Sequence, residues 1–393
     1  MTTISARALN RSTLARQLLL ERAEVSAEDA VRRVVALQAQ QPASPYVALW
    51  NRVAGFEASA LDALFADYRV VKSTMMRITL HAVHVEDYPA LRAAVEPTVR
   101  GARLRDRRFR DSGLTEADAA RLLPELLARA ERPCAGPELK DWLVGAAGIE
   151  EPVALPAWRM LRQYAPLWHA PVADAPWAYV GNGGQEFVAA GADSRPALEG
   201  DEAAAAGMRA LVLRYLEGFG PATVSDVAQF GLVQKGRVRA ALRELEDSVR
   251  ELKGEGEVLY DVPGGGVPDE DVAAPVRLLP MWDSVLLAYA DRGRVIPAEY
   301  RKHVTRVNGD VLPTVLVDGY VAGVWRVAEG GAGIEVGAFR ELPGAVWEEL
   351  EVEARGLFAF LAGRDVSAYR RYDHWWVKGL PVAQTRVLAG SAG

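Results

Sequence analysis

Two periodicities run along the 393-residue chain, and the places where one gives way to the other mark its expected elements. Apolar residues three and four apart turn one face of a helix toward a core, whereas strict alternation turns one face of a strand there. The spacing predicts a helix over 13–21 and another from Ser26, where Ser26 and Asp29 stand as an N-cap and its reciprocal partner. Val31, Val34, Val35 and Gln38 then fall at i, i+3, i+4 and i+7, which sets Gln38 on the stripe facing the core. Pro42 and Pro45 push the residues before them out of helical geometry, so this helix is expected to end near Gln40. A helix over 58–67 and two strands within 70–83 complete the ground plan of a winged helix.

The pattern then repeats. Thr115 and Asp118 are spaced as a capping box, and Ala119, Leu122, Leu123 and Leu126 carry helical periodicity to about 130. Further helices are expected over 139–144 and 158–164, with short strands in 167–180. A third round reads most clearly: helices over 203–217, 224–230 and 233–247, then a ribbon turning at Gly254-Glu255-Gly256. After Gly264-Gly265-Gly266 the character becomes β, and Asp318-Gly319 between two apolar runs signals a type I′ hairpin. A helix over 346–361 and a final strand or two follow. The expected fold is α+β: three tandem winged helix-turn-helix modules, at 1–110, 111–200 and 201–262, and a small barrel-like β domain at 270–393.

Composition narrows the function classes. Half the residues are hydrophobic and 25% are charged, the profile of a globular protein. No apolar run is long enough to span a bilayer, and the N-terminus lacks the features of a secretory signal. A lone cysteine, Cys134, fits a reducing cytoplasm, and the five scattered histidines show no ligand spacing, so no metal or cofactor is expected. The net charge of −6 argues against a protein that simply coats nucleic acid, yet leaves room for a local basic channel.

Several basic clusters qualify. Residues 100–110 read RGARLRDRRFR, six arginines including Arg107 and Arg108 against Asp106 alone. This run is either a solvated face or a phosphate grip. Lys235, Arg239 and Arg243 line one face of the third module's presumed recognition helix, although the acidic wing turn would repel phosphates. The stretch 294–309 offers Arg294, Arg301, Lys302, His303 and Arg306 before an Asn308-Gly309 turn, the makings of a basic ribbon. Arg77, Thr79 and His81 are expected on one face of a strand.

The segment 37–50, LQAQQPASPYVALW, holds Gln38 and Gln40 where prolines open the chain. In a continuing helix they would point about 200° apart. Where the chain straightens, both amides can face the same space. They either satisfy backbone groups at a frayed helix end or serve chemistry. Tyr46 and Trp50 beyond them either line a cleft or pack in the core.

Five segments together, VALQAQQPASPYVALWNR, MMRITLHAV, LRYLEGFGPATVSDVAQF, RLLPMWDSVLLAYADRGRV and VLPTVLVDGYVAGVWR, resemble the AlkZ/YcaQ-type winged-helix alkylpurine DNA glycosylases of bacteria. The resemblance runs from about Leu20 to Val327, and the order of the segments carries it. It implies tandem winged helices in a C-shape and a Gln-apolar-Gln signature, met here by Gln38, Ala39 and Gln40, as in the AlkZ branch, which unhooks interstrand crosslinks. Phe230 departs from the tryptophan that the family pattern suggests, and His81 recurs in that pattern. The implied activity is monofunctional hydrolysis of the N-glycosidic bond of cationic N7- or N3-alkylpurines in duplex DNA, by a monomer without cofactor. Gln40 would position the water and Gln38 would partner it, or the reverse. The alternatives are a non-enzymatic winged-helix regulator and a catalytically silent scaffold.

Overall fold

The computed structural model of the chain describes residues 3–180, 184–194 and 200–388. Its contacts divide into two compact units that interleave in sequence. One comprises Met1–Leu61, Tyr215–Val227 and Asp247–Gly393, and the other Asp62–Arg214 and Ala228–Glu246.

The first unit is organised around a helix that hydropathy conceals. Helix Ala6–Arg16, capped by Ser5, buries Asn10, Arg11, Ser12 and Thr13, a polar rather than an apolar face. Each buried group finds a partner, as the cost of desolvation requires. Asn10 donates to the Gly319 carbonyl at 2.9 Å, Ser12 to Gly220 at 2.8 Å, and Thr13 pairs with the Tyr289 hydroxyl at 2.6 Å. Arg16 grips Asp261 with two bonds of 2.7 and 2.9 Å. The sequence pattern placed this helix later, over 13–21, because an apolar-stripe search passes over a helix whose core face hydrogen-bonds.

Helix Ala27–Arg33 begins as expected, with Ser26 accepting from the Asp29 amide. It ends seven residues before Gln40. Val35 takes φ +73°, a left-handed geometry that costs a β-branched residue about 1–3 kcal/mol, and it is completely buried. The close approach of Gly218 makes room: a Cβ there would lie 2.6 Å from a Val35 methyl. Leu37–Gln38 is therefore extended backbone, and helix Ser44–Trp50 follows the proline turn.

The C-terminal part of this unit corrects one expectation: it is not a barrel. Five antiparallel strands lie in the order Gln384–Leu388, Ile334–Ala338, Tyr320–Val327, Thr314–Val317 and Arg277–Leu279. The two outer strands are edges and do not pair with each other, so the sheet stays open. Helix Gly344–Ala362 packs on three of its strands with Trp347, Leu350, Ala354, Leu357 and Leu361 buried. A helix laid over one face buries the sheet's apolar side, and closure is not needed. The Asp318-Gly319 hairpin forms as expected, with Val317 opposite Tyr320 and both turn residues at positive φ, +49° and +80°.

The second unit carries the hairpin Val70–Thr74 and Leu80–His84 and the helices Tyr88–Leu104, Glu116–Arg129, Gly136–Ala147 and Glu151–Tyr164. The Thr115–Asp118 capping box is present in both directions. Leu122, Leu126, Leu139, Leu143, Trp158 and Phe187 anchor one hydrophobic core beside the strands Cys134–Ala135, Glu186–Ala189 and Leu167–His169. Helix Lys235–Leu245 also belongs to this unit. Among the described residues no helix is long and apolar enough to cross a membrane.

Candidate functional site

The first unit builds the glutamine segment from both sides. Helical geometry ends before both glutamines: Gln38 lies on the extended pair Leu37–Gln38, and Gln40 lies in a bend two residues on. They differ in depth. Gln38 is buried at 4% exposure, while Gln40 is exposed to solvent. The flanking chain is fixed by the 277–295 segment: Ser284 donates to the Ala36 carbonyl at 2.8 Å and Asn51 to the Leu278 carbonyl at 2.9 Å. Arg52 and Asp283 form a two-pronged ion pair, both bonds 2.8 Å, with side chains 1% and 0% exposed. Breaking such a buried pair costs about 3–5 kcal/mol, because the surviving charge is stranded. The segments 35–52 and 277–295, far apart in sequence, are thus two halves of one hydrogen-bonded clamp.

The other members of this unit are reported in turn. Tyr46 is fully buried, and Trp50 is half-buried under the Arg22 guanidinium, 4.4 Å from its ring. The expected basic ribbon is instead a single helical turn, Arg301–Val304, leading into a tight loop closed by one bridge between Thr305 and Val311. Arg301 and Lys302 are exposed, and His303 is half-buried against Phe339. Burial first, then Lys302 and Arg306, hold the His303 imidazole below its usual pKa. Arg306 lies 4.2 Å over the Trp375 ring, whose N–H donates to Asp310 at 2.8 Å. Lys378 approaches the same ring at 4.7 Å, and Trp282 donates to the Gly309 carbonyl at 2.9 Å. Val307 stands fully exposed at the loop tip. Trp375 and Lys378 escaped the sequence reading, although the density of rings and cations in 369–378, YRRYDHWWVK, carried the signal.

The second unit uses its suggestive residues internally. Arg77 lies in a turn at φ +53° rather than on a strand. Its guanidinium donates to the Phe230 carbonyl at 3.1 Å and lies 5.5 Å from the Phe230 ring, so the residue that departs from the family pattern is one of its partners. His81, fully buried, sits 3.2 Å from Arg77, and burial together with that cation holds its pKa well below 6.5. It is a neutral imidazole at pH 7. Lys72 is 3% exposed with its ammonium 4.2 Å from the Tyr179 ring, and burial lowers its pKa from 10.5 to about 7.

The arginine run is largely paired. Arg100 meets Glu96 at 2.8 Å, Arg105 meets Glu116 at 2.7 Å, Arg107 meets Asp111 at 3.3 Å and Arg108 meets Asp106 at 2.8 Å. Three of those carboxylates lie outside the run, so counting charges within it overstated its field. Lys235, Arg239 and Arg243 are exposed along helix Lys235–Leu245, beside a cavity of about 480 Å³ lined by Thr98, Met208, Gln234, Arg237 and Glu244. Among the described residues no group of three or more His, Cys, Asp or Glu side chains converges as a metal site would require.

Comparison with known proteins identifies the family. A family model described as DNA glycosylase AlkZ-like matches residues 31–360. The interstrand DNA cross-link repair glycosylase of Streptomyces sahachiroi is 26% identical over 333 residues, covering 80% of this chain and 85% of that protein. The solved structure of Streptomyces sahachiroi DNA glycosylase AlkZ superposes with a TM-score of 0.77 at 22% identity, over 92% of this chain and 98% of that one, a likeness of fold. The family match spans the glutamine segment and its clamp, and the chain belongs to the AlkZ-like family of DNA-repair glycosylases.

Proposed function

We propose that this chain is a monofunctional DNA glycosylase that hydrolyses the N-glycosidic bond of cationic N7- or N3-alkylpurines in duplex DNA. The observation that carries the reading is the placement of Gln40, solvent-exposed on a segment otherwise fixed by buried hydrogen bonds and an ion pair, inside the family match. A purine alkylated at N7 or N3 already bears a positive charge. When its bond to C1′ breaks, the electron pair neutralises the base, which leaves without a general acid. What remains is to deliver water to the developing oxocarbenium ion. The Gln40 carbonyl accepts a hydrogen bond from that water, whose oxygen bonds to C1′ while its proton passes to solvent. The Gln38 amide, one residue before Ala39, holds the neighbouring groups. The gain comes from orientation rather than basicity.

Neutral lesions lack the leaving-group charge and are expected to be poor substrates. The Streptomyces relative is named an interstrand DNA cross-link repair glycosylase, and in this reading the substrate class extends to crosslinks and, by the same leaving-group charge, to bulky cationic adducts. Arg301 and Lys302, exposed on the same unit as the glutamines, supply the phosphate contacts in this reading. No lysine lies within the Gln38–Gln40 segment to form a Schiff base, so the expected product is an abasic site.

The test is base release from a duplex carrying N7-methylguanine, read as strand scission after alkali. Scission with the native chain and its loss in Gln38→Ala/Gln40→Ala support the proposal, whereas undiminished scission in that variant moves the chemistry elsewhere. The cavity beside the basic face of helix Lys235–Leu245 favours a second reading, a regulator with an effector site. Tight sequence-specific binding with no base release would select it.

A further inference from the structure

The match to the family model ends at residue 360, yet residues just beyond it touch the glutamine segment at three places. The Gln41 side chain donates to the Ala368 carbonyl. The Ser44 hydroxyl pairs with the Tyr369 hydroxyl at 3.1 Å, both residues being buried. The Arg364 guanidinium lies 5.5 Å from the Tyr46 ring. Tyr369 is itself held, edge-on to Trp325 at 5.7 Å, and burial raises its pKa, which keeps the hydroxyl neutral. All these residues belong to one compact unit.

The contacts fall immediately after Gln40. An exposed side chain has no packing of its own to fix it, so its reach is set by the backbone on either side. On the N-terminal side Ser284 anchors Ala36, and on the C-terminal side the Gln41 and Ser44 side chains meet Ala368 and Tyr369. We propose that residues 364–369 act as a clasp that positions Gln40, with Gln41 and Tyr369 as positioning residues that touch neither substrate nor water. The Tyr369 hydroxyl meets the Ser44 hydroxyl and the Met281 backbone, and a phenylalanine would fill the same space without holding the turn.

This inference rests on the proposed glycosylase reading, and the experiment separates the two. Single-turnover release of N7-methylguanine is measured for the native chain, Tyr369→Phe, Gln41→Ala, Gln40→Ala and each pairing with Gln40→Ala, together with duplex affinity and thermal unfolding. Positioning predicts a loss of about tenfold in the chemical rate for Tyr369→Phe and for Gln41→Ala, with affinity unchanged. Placed on Gln40→Ala, either substitution costs nothing further, because the group being positioned is gone. Additive losses in that background, or rates unchanged from native, overturn the clasp while leaving the glycosylase reading intact. If the native chain releases no base, the activity reading fails, and hydrogen exchange of amides 37–44 decides the clasp by itself. Faster exchange in Tyr369→Phe supports it, and equal exchange refutes it.

Discussion

The two compact units treat their chemically suggestive residues in opposite ways. In the second, His81 and Lys72 look like a base and a nucleophile, yet both are sealed and held neutral or nearly so by burial. In the first, Gln40 has no titratable group at all, and it reaches solvent from a segment that is locked in place. The basic clusters repeat the contrast. The run at 100–110 meets carboxylates from outside itself, whereas Arg301 and Lys302 remain exposed beside an arginine and a lysine stacked on Trp375. Reactivity on paper is a property of the residue type. Availability is a property of what surrounds it.

The contrast can be broken most sharply at Gln40. Gln40→Ala is expected to slow base release by about a hundredfold at constant duplex affinity, the scale of a lost positioning group. A comparable loss from Lys72→Met would reverse the roles assigned to the two units.

Lys72→Met should instead stabilise the chain at pH 7, by about 2 kcal/mol, because it removes a buried amine that the unfolded state keeps charged. The Tyr179 ring face returns part of the burial penalty, which holds the gain down. The sign follows from the depressed folded pKa of about 7 against 10.5. Between those values the unfolded chain binds more protons, so stability climbs as pH rises through that window and is lost as pH falls toward 7. His81 and His169, also depressed by burial, extend the loss below pH 6.5. Denaturation followed across this pH range should show a shallower rise in the variant, and an identical slope would remove Lys72 as its source.

Charge reversal gives a smaller effect. Arg301→Glu/Lys302→Glu should weaken binding to undamaged duplex about tenfold and lower the salt slope by roughly two. Arg107→Ala/Arg108→Ala, whose partners already neutralise them, should change affinity by about twofold at most. Equal losses from the two pairs, in fluorescence anisotropy over a salt series, would erase the distinction. Smallest of all, Glu116→Gln removes an exposed partner of Arg105 and should shift stability by less than about 1 kcal/mol.

The local chemistry of the chain was readable from its own residues. Ser26 and Thr115 cap the helices that their spacing announced, and Asp318-Gly319 turns as the two residue types demand. These features depend on neighbours three or four positions apart. The failures involve distant partners. Helix Ala6–Arg16 was misplaced because its inner face is satisfied by carbonyls and carboxylates some two to three hundred residues away. The end of helix Ala27–Arg33 was missed because Val35 turns left-handed only where Gly218 leaves space. The barrel was expected from the β character after Gly266, the Asp318-Gly319 hairpin and the helix and strands that follow, but whether edge strands meet is settled only by pairing in the folded sheet.

The sequence by itself thus determined the segments, their caps and turns, the family, and the two glutamines worth watching. Only the tertiary structure decided that Gln38 lies inside and Gln40 outside, and that four arginines of the run pair with carboxylates while Lys72 is buried. Periodicity and spacing report what a residue does to its own chain. Exposure, pairing and protonation are set by atoms that the chain brings together only on folding.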